Sequence, residues 1–171
     1  MSLAPAPDGL ETERLVLRPR RPDEATVYRE LWTERDPRVP AHRRIDAHGR
    51  PSVADIASFI STEQPGILAV ERKDTAEVIG YVGLVADDQE PHSPELAFEL
   101  LSTAHGRGYA TEAGAAVVAW AREAGYDRLW ATVWDWNAAS LRVLEKLGFH
   151  DTGQVERTSE HGRSLVTMLT L

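Results

Sequence analysis

The chain has 171 residues, of which 42% are apolar and 27% are charged, a composition typical of one globular domain with a sizeable core. A formal net charge of −8 disfavours general nucleic-acid binding, so we expect no nucleic-acid partner. The absence of cysteine excludes disulfides, thiolate metal sites and any acyl-cysteine intermediate.

Membranes and metals are also disfavoured by the sequence. No apolar run approaches the length of a membrane span, and the N-terminus lacks the basic and apolar regions of a signal peptide. We therefore expect a cytoplasmic protein without a membrane partner. The six histidines show no metal-ligand spacing, and we predict no metal site. We expect a single domain over residues 1–171, in which residues 1–9 form a disordered tail.

The first half of the chain is predicted to form a strand, two helices and a hairpin. A strand over residues 14–18 precedes a helix that Asp23 caps and that runs to about residue 34. Ser52 caps a second helix, which continues to about residue 62. A hairpin then follows, formed by residues 67–73 and 78–85.

A loop between these two helices, residues 36–51, is rich in proline, arginine and histidine. Its arginines and histidines are Arg38, His42, Arg43, Arg44, His48 and Arg50. One interpretation is a solvated, mobile surface loop, because charge runs usually have that character. The other is a lid over a binding site that recognises an acidic group, since loops on rigid scaffolds often carry specificity.

The second half of the chain alternates strands and helices. A strand over residues 95–101 places its leucines and phenylalanine on one face and two carboxylates, Glu95 and Glu99, on the other. The order of elements implies an α+β or α/β sandwich around one mixed sheet. The elements that follow the strand are a helix over residues 108–124 ended by Gly125, a strand over 128–134, a helix over 138–147 opened by Asn137, and strands over 152–157 and 164–171.

A glycine-containing segment, residues 102–113, connects the strand to the long helix. Gly106 and Gly108 tolerate backbone angles that other residues resist, and a helix start leaves several N–H groups pointing outward. Such a segment suits a phosphate or a pyrophosphate. It is not a P-loop, because no Gly-Lys-Ser/Thr follows. It also lacks the third glycine of the dinucleotide-binding fingerprint.

The six residues from His105 to Ala110 resemble the acyl-CoA loop of the GNAT superfamily of N-acetyltransferases, Gln/Arg-x-x-Gly-x-Gly/Ala, with His105 in place of the usual Gln or Arg. Their continuation, Gly-Tyr-Ala-Thr-Glu-Ala, resembles the RimJ/RimL-like branch, which acetylates ribosomal-protein N-termini. Thr-Glu-Arg-Leu-Val-Leu-Arg, residues 12–18, is similar to the first strand of that branch. The segment from Asn137 to Phe149 resembles the family's Asn-x-x-Ser…Glu-Lys-Leu-Gly-Phe segment.

The resemblance implies a three-layer α+β sandwich. Its sheet would be mixed and mostly antiparallel, with six to seven strands, helices on both faces and two splayed parallel strands at the centre. It also implies acetyl-CoA as cofactor and a primary amine as acceptor, either the N-terminal amine of a protein or peptide or a small-molecule amine. We further expect direct transfer in a ternary complex and a monomer or homodimer. The residues that the resemblance assigns to the cofactor are Leu100, Leu101, Ser102, His105, Gly106, Arg107, Gly108, Tyr109, Ala110, Thr111, Asn137 and Ser140.

Acetyl transfer needs three kinds of group. A preorganised donor must face the acyl oxygen, and the resemblance places a main-chain N–H there, near Leu100 or Leu101. A base must take the proton of the amine, and Glu95 and Glu99 are the candidates, with Glu95 favoured by the resemblance. These two carboxylates are also explained as solvent-facing charges on a half-exposed strand.

The leaving thiolate needs a hydrogen-bond donor as well. Many members of the superfamily use a tyrosine on the helix after the asparagine, and in this sequence that position is Leu144. We take Ser140 as the substitute donor. The ordinary explanation of this segment is that Asn137 caps a helix and Ser140 lies in its first turn.

Three tryptophans on one face of the strand over residues 128–134 and just after it are also of interest. We expect Trp130 in the core and regard Trp134 and Trp136 as candidates for an acceptor groove. The alternative to an enzyme is a non-catalytic acyl-CoA-binding or regulatory module. A nucleotide-binding switch fits less well, because no lysine follows the glycine loop and no clear Mg²⁺ carboxylate is present.

Overall fold

The computed structural model describes residues 7–62, 66–86, 90 and 92–171, and within them the chain forms one eight-stranded sheet. Its strands are β1 (Leu10–Glu11), β2 (Leu15–Pro19), β3 (Ile67–Arg72), β4 (Val78–Val85), β5 (Glu95–Leu100), β6 (Arg128–Trp134), β7 (His150–Ser159) and β8 (Gly162–Thr170). The spatial order is β1-β2-β3-β4-β5-β6-β8-β7. All neighbours are antiparallel except β5 and β6.

The expected mixed, mostly antiparallel sheet is confirmed, but the sheet has eight strands where six to seven were expected. The additional strand is β1, which pairs with β2 through Leu10 and Leu17. Two residues are too short for an alternating pattern to reveal a strand. Of the tail expected over residues 1–9, residues 1–6 lie outside the described residues.

Helices cover both faces of the sheet, as predicted. The four helices of the described residues are α1 (Ala25–Glu34), α2 (Val53–Thr62), α3 (Tyr109–Glu123) and α4 (Ala138–Leu147). The main core cluster joins α3 and α4 to the sheet through Val117, Leu129 and Leu144, all at most 2% exposed. A second cluster, with Tyr28 and Ile56, joins α1 and α2. None of these helices is long and apolar enough to cross a membrane.

Helix boundaries test the capping predictions. Ser52 caps α2 as predicted, since its Oγ accepts from the Asp55 N–H at 3.1 Å and the Asp55 carboxylate accepts from the Ser52 N–H at 2.8 Å. The prediction that Asp23 caps α1 is wrong, because a 3₁₀ turn over Pro22–Glu24 precedes that helix. Gly125, with a φ of 84°, follows α3 as a C-terminal glycine does.

The centre of the sheet separates between β5 and β6. Glu95 and Trp130 are the one pair of residues in register between these strands. The Trp130 N–H donates to the Pro94 carbonyl at 3.1 Å. Two residues further on, the Thr132 N–H donates to the Glu95 carboxylate at 3.1 Å rather than to a carbonyl of β5. The two parallel strands are therefore splayed, and a hydrogen bond to a side chain replaces main-chain pairing where they separate.

Candidate active site

A cleft of about 1480 Å³ opens where β5 and β6 separate. One side of it is formed by the glycine loop, residues 105–110, and by the start of α4. The other side is formed by α1, by the loop over residues 36–51 and by the C-terminal hairpin, which consists of β7 and β8. Because Gly106, Gly108, Asn137, Ser140 and Glu95 all line this one cleft, the sequence motifs meet in a single place.

The glycine loop presents main-chain N–H groups. Gly106 and Gly108 have φ angles of 74° and 81°, in the left-handed region that favours glycine. Gly108 is the N-cap of α3, and no side chain caps the helix. Within the described chain, none of the N–H groups from residue 106 to residue 111 has a protein acceptor. Free N–H groups at the positive end of a helix dipole form a binding site for an anion such as a diphosphate.

A carboxylate on α3 anchors this loop to the N-terminal strands. Glu112 accepts from the Thr12 hydroxyl at 2.6 Å, from the Arg14 N–H at 2.9 Å and from Arg14 Nε at 2.7 Å. Arg14 also donates to the Arg107 carbonyl at 2.9 Å and lies 4.4 Å from the centre of the Tyr109 ring. Partial burial would raise the pKa of the Glu112 carboxyl, but these hydrogen bonds outweigh burial and hold the pKa below its ordinary value.

Some of the residues assigned to the cofactor do not line the cleft, and others have polar groups that are already hydrogen-bonded within the protein. Leu101 and Arg107 do not line it. The N–H and hydroxyl of Ser102 both donate to the Glu34 carboxylate, each at 2.9 Å. His105 turns back on β5, with Nε2 lying 2.8 Å from the Leu100 carbonyl oxygen.

Main-chain direction distinguishes the two candidate donors at the end of β5. The Leu101 N–H donates to the Ile79 carbonyl at 2.8 Å, so it is directed at β4. Successive N–H groups of a strand alternate in direction, and the Leu100 N–H therefore points toward the opening between β5 and β6. Leu100 is the donor that faces the cleft.

The first turn of α4 contains two polar side chains, of which one caps the helix and the other has no protein partner among the described residues. The Asn137 side chain accepts from the Ser140 N–H at 3.2 Å and so caps the helix. The Ser140 hydroxyl makes no hydrogen bond to any described residue, and it lines the cleft. Leu144, one turn later, lines the same wall with carbon atoms alone and is 2% exposed.

Glu99 lies in a bidentate ion pair. Its two oxygens accept from Arg35 Nε at 2.9 Å and Nη2 at 2.8 Å, and Oε2 also accepts from the Tyr81 hydroxyl at 3.0 Å. Arg35 stacks 4.3 Å from the Trp32 ring centre. Burial, followed by the charge of Glu99, raises the pKa of the Tyr81 phenol, so the phenol stays neutral and donates.

Glu95 is held differently. Its Oε1 accepts from the N–H and the hydroxyl of Thr132, whereas its Oε2 has no hydrogen-bond partner among the described residues. The carboxylate lies where β5 and β6 begin to separate. It therefore has one anchored oxygen and one oxygen available to a ligand in the cleft.

The tryptophans after β5 divide between two environments. Trp134 and Trp136 line the cleft and stack on each other, with ring centres 6.2 Å apart and planes 7° from parallel. The expectation that Trp130 belongs to the core is wrong, because it is only half-buried and lies outside both core clusters. The buried residues of β6 are its alternate ones, Leu129 and Val133 among them.

The loop over residues 36–51 is anchored on both sides of the cleft. Arg35 donates to the Arg43 carbonyl at 2.7 Å, and Arg29 donates to the Gly49 carbonyl at 3.2 Å. On the far side, the Arg38 guanidinium lies 4.2 Å from the centre of the Trp136 ring, and the Arg38 carbonyl oxygen is 3.1 Å from Nδ1 of His161. Sequence reasoning left the role of this loop open, and its contacts make it a wall of the cleft.

Comparison with known proteins agrees with this geometry. The sequence profile of the acetyltransferase (GNAT) domain matches residues 14–150. The uncharacterized N-acetyltransferase YoaA of Bacillus subtilis (strain 168) is 31% identical over an alignment of 152 residues, and the match covers 84% of this chain and 84% of that one.

Two solved structures share the fold. The acetyltransferase (GNAT family) from Bacillus anthracis superposes with a TM-score of 0.80 at 20% identity, covering 95% of this chain and 98% of that one. The microcin C7 self immunity acetyltransferase MccE, solved in complex with acetyl-CoA and AMP, gives a TM-score of 0.75 at 15% identity, covering 98% of both chains.

The chain belongs to the GNAT acetyltransferase family, and it is an acetyltransferase that uses acetyl-CoA. The structure fits this cofactor, because the N–H groups of residues 106–111 are unpartnered within the described chain, and the cleft that residues 106 and 108–111 line is also lined by Ser140.

Replacing Glu112 by Gln should destabilise the protein in a pH-dependent way. Because the pKa of Glu112 is lowered in the folded state, its carboxylate stabilises the fold at pH values above the ordinary carboxyl pKa of 4.5. This stabilisation is lost as the pH falls below that value. We expect the variant to lose about 1 kcal/mol of unfolding free energy near neutral pH, since the carboxylate is partly exposed. The difference from the parent should shrink in acid. Urea unfolding at several pH values measures it.

Glu123→Gln, an exposed position on the same helix, is the matched control and should show no such pH-dependent difference. An equal loss for Glu112→Gln at neutral and acidic pH would show that the carboxylate charge does not anchor the loop.

Proposed function

We propose that the protein transfers an acetyl group to a primary amine, by direct attack in a ternary complex, as a RimJ/RimL-like N-acetyltransferase. The observation that carries this proposal is one continuous cleft that joins the N–H groups of the glycine loop to Ser140 and Glu95. Residues 12–18 and 108–113 support the branch through their resemblance to it.

The cofactor end of the cleft relies on main-chain donors. The N–H groups of Gly106, Gly108, Ala110 and Thr111 would hold the diphosphate, and the Asn137 amide would face the pantetheine arm. Bound acetyl-CoA supplies an activated acetyl thioester. Of the other residues assigned to the cofactor, Tyr109 contributes its N–H alone, because its side chain is 6% exposed in the core.

The Leu100 N–H is the proposed donor to the acyl oxygen. Negative charge develops on this oxygen during acyl transfer, and a fixed donor lowers the barrier because it needs no reorganisation. The splay of β5 and β6 frees this N–H from strand pairing. Since the chain contains no cysteine to carry the acetyl group, we propose that the amine attacks it directly.

Glu95 is the proposed general base. An ammonium must lose a proton before it can attack, and the unpartnered Oε2 of Glu95 can accept it directly or through water. Thr132 holds the other oxygen and thereby orients the carboxylate. Glu99 is the weaker candidate, because Arg35 and Tyr81 occupy both of its oxygens.

Ser140 is the proposed donor to the departing sulfur. Its hydroxyl lies on the cleft without a protein partner, and the position where many family members have tyrosine is Leu144, which has no polar atom in its side chain. A serine hydroxyl donates a hydrogen bond to the thiolate, and water completes the proton transfer.

Incubation with acetyl-CoA should release free CoA only when a primary amine is present. We expect turnover across a panel of amino acids, short peptides with free N-termini and small amines, with none on the same compounds after N-methylation to tertiary amines. Initial rates at varied concentrations of both substrates should give intersecting lines, as a ternary complex requires. Parallel lines would contradict direct transfer.

Replacing Glu95 by Gln should lower kcat/KM for the amine by roughly 100-fold or more, the usual contribution of a general base. Thr132→Val keeps the base but removes the hydroxyl that orients it, so its loss should be smaller. Thermal unfolding shows whether both variants are folded. If Glu95→Gln keeps the parental kcat/KM, Glu95 is not the base.

Replacing Ser140 by Ala should lower kcat by about tenfold or more while the KM for acetyl-CoA changes little, because the hydroxyl interacts with charge that develops only during reaction. The substitution keeps the Ser140 N–H that Asn137 accepts from, so the helix cap survives. Asn137→Ala, which removes the cap, serves as the comparison. Thermal unfolding separates the two effects, and full activity of Ser140→Ala would end this assignment.

A further inference from the structure

The end of the cleft where the loop over residues 36–51 meets the hairpin of β7 and β8, which we term the acceptor end, carries arginines with no partner among the described residues. It lies between the loop over residues 36–51 and the C-terminal hairpin, with Trp134 and Trp136 between them. Arg43 lines it from the loop and Arg157 lines it from β7. Neither guanidinium forms an ion pair or a hydrogen bond with any described residue.

Three other arginines near this end are already engaged. Arg35 is paired with Glu99, Arg38 with Asp36, and Arg163 with Asp135. The acidic side chains of the cleft are engaged as well, each by at least one protein donor. They are Glu34, Asp36, Asp55, Glu95, Glu99 and Glu156. The binding capacity that remains at the acceptor end is therefore mainly cationic.

The backbones that carry the two free arginines are fixed. The Arg43 N–H donates to the Pro40 carbonyl at 2.9 Å, and its own carbonyl accepts from Arg35 at 2.7 Å. The positive charge of Arg43 reaches the buried Tyr81 phenol, where it opposes the effect of burial on the phenol pKa. Arg157 pairs with Ser164 on β8, and Ser164 pairs in turn with Trp134. Because these backbones are already fixed, the two side chains lose less conformational entropy when a ligand binds.

We propose that the amine acceptor also carries an anionic group, a carboxylate or a phosphate, which Arg43 and Arg157 bind at the acceptor end of the cleft. This inference rests on the proposed amine acetylation and names its substrate class. Guanidinium groups recognise carboxylates and phosphates through charge-assisted, often bidentate hydrogen bonds. The preference for an anion is a local property, since the chain as a whole carries a net charge of −8.

Matched acceptors test this proposal. The purified full chain is assayed with pairs that differ only in charge: an alanyl peptide with glutamate or glutamine at its second position, a free amino acid or its amide, and O-phosphoserine or serine. The three pairs separate a side-chain carboxylate, an α-carboxylate and a phosphate. We expect at least one pair to show kcat/KM about 100-fold higher for the anionic member, since two charge-assisted contacts provide about tenfold each.

Substitution assigns the preference to the two arginines. Arg43→Gln and Arg157→Gln should each reduce the anionic-to-neutral ratio by about tenfold. Arg157→Glu should shift the preference toward amines with a second positive charge. Arg122→Gln, an exposed position on α3 outside the cleft, should leave the ratio at the parental value. Thermal unfolding confirms that each variant is folded.

The outcomes are distinguishable. Turnover of neutral and anionic members at equal rates, or a ratio that neither arginine variant alters, would overturn the anionic acceptor and leave amine acetylation standing. Absence of turnover with every amine would overturn both proposals. A preference that is lost in both arginine variants and kept in Arg122→Gln supports the inference.

Discussion

The loss of main-chain pairing between β5 and β6 is the constraint on which the rest of this structure depends. Two parallel strands at the centre of a sheet normally share a regular ladder, and here the ladder ends after Glu95 and Trp130. Unpaired N–H and carbonyl groups are costly unless they find other partners. The Glu95 carboxylate satisfies one of them at Thr132, and the Leu100 N–H remains directed at the cleft.

Packing on both faces keeps the separated strands in place. On one face, α3 and α4 contribute to the main core, where Val117 and Leu144 are each 2% exposed. On the other, the loop over residues 36–51 reaches from Arg35 across to Trp136. The opening is therefore a fixed feature of the fold, and it would hold the proposed donors and base rigidly, as acyl transfer requires.

Local sequence patterns predicted much of this architecture, and long-range contacts account for what they missed. The periodicity of α3, the hairpin of β3 and β4, the glycine loop and the Asn137 cap all depend on residues a few positions apart. The anchoring of Glu112 by Arg14 joins residues 98 positions apart, and the pairing of Arg35 with Glu99 spans 64. The periodicity of apolar residues in a sequence does not indicate such distant partners. The expectation that Trp130 lies in the core, made because aromatics in strands are usually buried, was wrong for the same reason: coverage of a sheet face depends on which helices pack against it.

The two ends of the cleft are lined by different kinds of group, main-chain N–H groups at one end and side chains at the other. At the glycine loop, the donors are peptide N–H groups, which every residue except proline possesses whatever its side chain. Near the loop over residues 36–51, the lining groups are arginines, carboxylates and indoles, each of which a single codon change can alter. On the proposed assignment of the two ends, a lineage built on this scaffold can diversify what it acetylates while its binding of the acetyl donor stays constant.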